Sequence, residues 1–223
     1  MIKVALICEG ISESNMLTSL ISKYLGTENV KVTTVQPEIS SGKQSGFGGW
    51  LQVLNFCNDT KLNENLIFND FIVIQIDTDA CIEKNYDVNP YDENNNRISD
   101  EELYAKVTER LKNNLSAEFL QKHSDKIIFA VCINETECWL LPLFYANEPK
   151  KRCATTNCVY ILNQKLKQQN ISPIPDKDKN STEARHAYQS ILKMLKKKKD
   201  IMDISKHNYG FKMFVEQLDT INA

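Results

Sequence analysis

Four apolar runs divide the chain: IKVALI (2–7), VKVTTV (30–35), DFIVIQI (70–76) and KIIFAVCI (126–133). Each has the length and β-branched content of a strand. VKVTTV alternates between apolar and polar positions. The other three are nearly continuous, as expected for strands covered on both faces of a parallel sheet. Helical patterns lie between them. NMLTSLISKYL follows the turn CEG, with Ser12 or Ser14 as its cap and Gly26 as its stop. A short helix is predicted from about Trp50 to Phe56. A longer one runs through SDEELYAKVTERLKNNL, where Ser99 and Glu102 suit a capping box. The C-terminal third is helical in pattern and broken at ISPIPDKDKN (171–180), and no internal repeat is present. Strands alternating with helices predict an α/β fold with a mainly parallel central sheet flanked by helices. Residues 1–147 form the expected core. Residues 148–223 form a helical basic extension packed on the same domain.

In such sheets the functional site lies beyond the carboxyl ends of the strands. There the pattern changes abruptly. VIQIDTDA (73–80) ends its apolar run on Asp77 and Asp79, Glu9 follows the first strand, and Glu135 and Glu137 follow the fourth. Like charges gathered at one edge raise each other's pKa, and a divalent cation removes that penalty. Mg²⁺ takes oxygen ligands and is often held by one or two carboxylates plus water and substrate phosphates. If the chain turns at Thr78, both aspartates reach one site. A bare turn cap is the alternative for the pair, but acidic residues after three strands favour metal. Glu135 and Glu137 diverge by about two hundred degrees on a helix, so at most one faces the metal unless the helix begins between them. Favourable charge in a first helical turn is their other role.

Composition adds a second theme. The net charge is −2, with 42% hydrophobic and 25% charged residues, ordinary for one globular domain. The charge is uneven: residues 148–212 hold 15 Lys and Arg against 6 Asp and Glu. A basic face for a polyanion beside an acidic region is implied. The densest run, KMLKKKKD (193–200), suits nonspecific phosphate contact through Lys196, Lys197, Lys198 and Lys199. A solvated helix end is the alternative. SGKQSGFGGW places four of the seven glycines in eight positions. Its amides, with Lys43, suit phosphate contact, although it is not a Walker A loop and a flexible connection is the alternative. Among the seven cysteines no CxxC occurs, and Cys8 and Cys132 fall in apolar runs. They are expected to be reduced packing residues of a cytoplasmic protein, and zinc is not expected. The direct start on a charged strand leads to the expectation of no signal peptide, and no apolar stretch is long enough to cross a membrane.

ALICEGISE followed by VIQIDTDA resembles the TOPRIM domain shared by topoisomerases, primases and overcoming-lysogenisation-defect (OLD) nucleases. The resemblance covers roughly residues 2–135. It matches Glu9 to the family's glutamate after the first strand, and Asp77 and Asp79 to its Asp-x-Asp after the third. Small stand-alone, RloB-like TOPRIM proteins are similar through NETECWLL and SKHNYGFKMFVEQL. The resemblance implies a TOPRIM-like Rossmannoid and a Mg²⁺- or Mn²⁺-dependent nuclease acting on DNA or RNA in defence against phage. Glu9, Asp77 and Asp79 would be primary ligands, with Glu13, Glu135 and Glu137 as candidates for a second site. Glu13 stands where OLD-type nucleases more often have Asp. Lys206 is the candidate for their late lysine beside the metals. A separate ATPase subunit is compatible, because the chain has no ATPase motif, and so is a homo-oligomer. The rival reading is a non-catalytic nucleic-acid-binding or regulatory subunit whose acidic site serves structure or recognition.

Overall fold

In the computed structural model, which describes residues 1–175 and 181–221, the apolar runs become strands of one sheet. β1 (Ile2–Ile7) leads into α1 (Ile11–Leu25) and β2 (Val30–Gln36). A small hairpin of β3 (Ile39–Ser40) and β4 (Lys43–Gln44) follows, then α2 (Trp50–Phe56), α3 (Asp59–Leu66) and β5 (Phe71–Asp77). α4 (Asp100–Lys112) and α5 (Ala117–His123) precede β6 (Ile127–Cys132). A 3₁₀ segment, Thr136–Leu143, then opens the helical remainder: α6 (Pro149–Arg152), α7 (Cys158–Gln168), α8 (Thr182–Leu192), α9 (Lys198–Ser205) and α10 (Tyr209–Thr220). Of the expected break at 171–180, residues 176–180 lie outside the described residues.

The four long strands pair in the order β2-β1-β5-β6, all parallel. The chain therefore leaves β1 to one side for β2 and returns to its other side for β5. That reversal makes the gap between β1 and β5 the topological switch point, where open α/β sheets place ligands.

Strand side chains alternate between two cores, one on each face. Val4, Leu6 and Val73 join α1 and the C-terminal helices through Leu17, Ile191, Phe211 and Phe214. Ala5, Ile7, Ile72, Ile74 and Ile76 join α2, α3 and α4 through Val53, Leu62 and Val107. The C-terminal extension thus shares the first core with the sheet. Trp139 of the 3₁₀ segment anchors this, stacked on Phe211 with ring centroids 4.5 Å apart and on Phe214 at 5.5 Å. Such pairs contribute about 0.5–1.5 kcal/mol beyond their burial. α10 also covers the edge of β6. Gln217 accepts from the Phe129 N–H at 2.9 Å and donates to the Phe129 carbonyl at 3.1 Å, occupying groups that an open edge strand would expose. Gly210 makes this approach close, because a Cβ there would run into the Val131 carbonyl.

Local expectations need three corrections. Neither Ser12 nor Ser14 caps α1: the helix starts straight after Gly10, and both serines lie buried in its first turn. The Ser14 hydroxyl instead meets Thr34 at 2.5 Å. The lysine run does not end a helix. α8 stops at Leu192, and Lys198 and Lys199 begin α9, where the helix dipole disfavours cations. Asp200 offsets this by accepting the backbone N–H groups of Lys196 and Lys197. Finally, Cys138 and Cys158 form a disulfide, while Cys8, Cys57, Cys81 and Cys132 are buried thiols. The pair is 20 residues apart and meets only because α7 packs on the 3₁₀ segment, so sequence spacing gives no signal. Among the described residues, no helix is long and apolar enough to cross a membrane.

Candidate metal centre

At the switch point a ring of hydrogen bonds fixes the ends of β1 and β5. The Glu9 N–H donates to Gln75 Oε1 at 3.0 Å. Gln75 Nε2 donates to Asp77 Oδ1 at 2.8 Å, and the Asp77 N–H donates back to Glu9 Oε1 at 2.6 Å. The Thr136 hydroxyl adds a second bond to Asp77 Oδ1, at 2.7 Å. Gln75 is fully buried in an otherwise apolar strand, and no sequence motif pointed to its role. Its presence inside FIVIQID was the available signal, since buried polar side chains must find partners.

β5 ends in the turn that both aspartates need. The N–H groups of Thr78 and Asp79 each donate to the Asn134 carbonyl at 3.0 Å, and Thr78 Oγ1 accepts from the Asn134 N–H at 2.7 Å. Buried Tyr86 donates to the Asp77 carbonyl at 2.8 Å. The result is one open cavity of about 390 Å³, lined by Glu9, Glu13, Asp77 and Asp79 with Ser12 and Gln44. The glycine-rich loop forms its other wall. Gly49 donates its N–H to the Glu9 carbonyl at 2.7 Å, and its φ of 91° lies in the left-handed region. A Cβ on Gly48 would collide with the same carbonyl.

Among the described residues, no Lys, Arg or His lines this cavity. Burial pushes the Asp77 carboxyl well above the usual carboxylate range, and the charges of Glu9, Glu13 and Glu137 push it further. The Thr136 hydrogen bond pulls the other way. The same negative field acts on neighbours. The Cys8 thiol is raised by burial and then by Glu13 and Glu9, and the Tyr86 hydroxyl by burial and then chiefly by Glu9. A hard cation fits such a set of oxygens, since Mg²⁺ needs only one or two carboxylates with water completing its shell. The carboxylates border one cavity without forming a closed cluster. Among the described residues, the trio whose ligand atoms all lie within 4.8 Å of one another is Glu135, Cys138 and Cys158. Two of its members are joined as the disulfide.

The remaining candidates separate. The 3₁₀ segment begins between Glu135 and Glu137, and the two point apart. Glu137 is buried, accepts a hydrogen bond from the Tyr188 hydroxyl of α8, and adds its charge to the field at Asp77. Glu135 turns to α7 and accepts from the N–H groups of Cys158 and Val159 at 2.9 and 3.2 Å. Glu13 lines the cavity and accepts from Ser12 at 2.9 Å. Lys206 does not line the cavity: it is exposed and pairs with Asp203 at 2.8 Å. Lys43 is exposed on the hairpin. Lys198 is held by Asp219 at 2.7 Å and lies over the Tyr24 ring, while Lys196, Lys197 and Lys199 are exposed. Sequence reasoning missed Tyr188, Thr136, Gln44 and Gln75. In comparisons with known proteins, no family model, curated protein or solved structure matches this chain significantly.

Proposed function

We propose that the chain is a metal-dependent nuclease that cleaves phosphodiester bonds of DNA or RNA. The observation that carries this reading is the convergence of Glu9, Asp77, Asp79 and Glu13 on one cavity at the switch point, with no cationic side chain among the described residues of its lining. Glu9, Asp77 and Asp79 would hold Mg²⁺ or Mn²⁺, and Glu13 and Glu137 deepen the negative potential. A bound divalent cation activates water and stabilises charge on a phosphate. The chain's own part is positional: Gln75 and Thr136 fix Asp77 Oδ1 through two hydrogen bonds. The TOPRIM resemblance of residues 2–135 supports the same chemistry. A role in defence against phage, beside a separate ATPase subunit, rests on that resemblance alone.

One observation favours a second reading, a non-catalytic nucleic-acid-binding or regulatory subunit. Lys206, the candidate for stabilising phosphate charge, is paired with Asp203 outside the cavity. A cleavage assay separates the two. Labelled single- and double-stranded DNA and RNA are incubated with Mg²⁺ or Mn²⁺, with and without candidate ATPase partners. The nuclease reading expects cleavage that EDTA and Asp77→Asn both abolish. Absence of cleavage under every condition selects the binding subunit.

A further inference from the structure

A second cavity, of about 460 Å³, lies between α1, α8 and the β3–β4 hairpin. Its walls are two helical stripes. On α1, Ser12, Asn15, Ser19 and Lys23 recur at three- and four-residue spacing, which places them on one face. Arg185 and Gln189 on α8, and Lys193 at its C-terminal cap, recur every four residues and face them. Among the described residues, three cationic side chains line this cleft and no acidic one does. Two of the cations are tethered at its borders. Lys23 donates to the carbonyls of Leu192 and Leu195 at the end of α8, the latter at 2.8 Å. Arg185 donates to the Gly42 carbonyl of the hairpin at 3.1 Å. Ile11, Ile39 and Leu192 supply apolar surface. The volume falls within the range of small-molecule sites, roughly 300–1,000 Å³.

The cleft adjoins the acidic cavity. Ser12 lines both. Tyr188 lines the cleft and sends its hydroxyl to Glu137, whose charge acts on Asp77. A polyanion is repelled by the carboxylates and attracted by the cations beside them, so the two cavities divide the electrostatic work.

We propose that this cleft is a nucleotide subsite: Arg185, Lys193 and Lys23 hold a phosphate of a nucleic-acid strand whose neighbouring phosphodiester lies at the acidic cavity. The apolar floor takes the face of the attached sugar or base. This deepens, and rests on, the nuclease reading of the acidic cavity. It also shifts the expected basic surface away from the lysine run that precedes and opens α9. The cationic stripe on α8 escapes a search for basic runs because its members are four residues apart.

The test uses the full chain in EDTA, so that binding does not depend on a metal. Fluorescence anisotropy measures fluorescein-labelled oligodeoxyuridylate and oligouridylate, which differ only in the sugar, across a salt series. Arg185→Gln combined with Lys193→Gln is expected to weaken binding by about tenfold or more and to reduce the salt slope by about 1.4, for two lost contacts to a single strand. Lys193→Gln alone, at an exposed position, is expected to weaken binding without altering the thermal melt. The more tightly held polymer identifies the sugar class. Unchanged affinity and slope in both variants, or no binding by the wild type, overturns the subsite. Mn²⁺ titration of the same proteins separates the two ideas. Intact Mn²⁺ binding with no effect of Arg185 and Lys193 overturns the subsite alone. Absent Mn²⁺ binding with a clear effect of these residues supports the subsite and removes the metal reading.

Discussion

The backbone N–H of Asp77 donates to the carboxylate of Glu9 at 2.6 Å, although 68 residues separate them. One candidate ligand thus positions the backbone of the other, and the contact ties β1 to β5 just beyond their paired residues. A carboxylate accepting from a backbone N–H is a strong, charge-assisted bond. It explains how a crowded acidic site persists at the end of two buried strands.

Crowding has a sign that can be measured. The folded state holds the Asp77 proton more tightly than the unfolded chain does, because burial and then Glu9, Glu13 and Glu137 raise its pKa. The contribution of Asp77 to stability is therefore undiminished below the unfolded value of about 3.9 and falls as pH rises towards the folded value. Asp77→Asn keeps an Oδ1 acceptor for Gln75 and Thr136 and removes the charge. In EDTA at neutral pH the variant is expected to melt higher than the wild type, by about 2–4 °C for each ~1 kcal/mol relieved. Mg²⁺ should raise the wild-type melting temperature and leave the variant's unchanged. A lower melting temperature for the variant in EDTA would make Asp77 a structural residue.

Gln75 is the positioning residue of this site. Gln75→Leu leaves the Glu9 N–H without its acceptor and removes one donor from Asp77. Leaving a buried polar group unsatisfied costs about 1–3 kcal/mol. Urea denaturation should show a loss of that size, with weaker metal binding in the variant that remains folded. Wild-type stability in Gln75→Leu would show that the ring of bonds is dispensable.

Glu135 and Glu137 separate two roles that look alike in sequence. Glu135 accepts two backbone N–H groups at the start of α7, so Glu135→Ala is expected to cost about 0.5–2 kcal/mol of stability, as the loss of a helix cap does. Metal affinity should stay within about twofold of the wild type, since Glu135 does not line the acidic cavity. A large loss of metal affinity in Glu135→Ala, with stability intact, would return Glu135 to the ligand set.

Much of the frame was legible because it is local. IKVALI and FIVIQID carry their strand character in apolar continuity, and the carboxylates follow directly at the strand ends. Their meeting follows from parallel topology, which alternation of strands and helices predicts. The divergence of Glu135 and Glu137 was not readable from helical geometry, because the 3₁₀ segment begins between them and their partners on α7 and α8 set their directions. Contacts between distant segments were not legible either. Tyr188 reaches Glu137 across 51 residues, and Arg185 reaches Gly42 across 143. The Cys138–Cys158 bridge depends on where α7 packs, and the glycine-rich loop becomes a cavity wall only because Gly48 and Gly49 approach Glu9. Lys206 had a motif-like context but was drawn to Asp203, one helical turn away.

The most direct measurement of whether the acidic cavity is a metal centre is anomalous diffraction at the manganese edge from crystals grown with Mn²⁺. The expected result is a peak inside the cavity, with oxygens from at least two of Glu9, Asp77 and Asp79 within about 2.0–2.6 Å, and its loss in Asp77→Asn. A saturated crystal with no peak in the cavity, or with its peak at Glu135 instead, would contradict the metal centre and with it the nuclease reading.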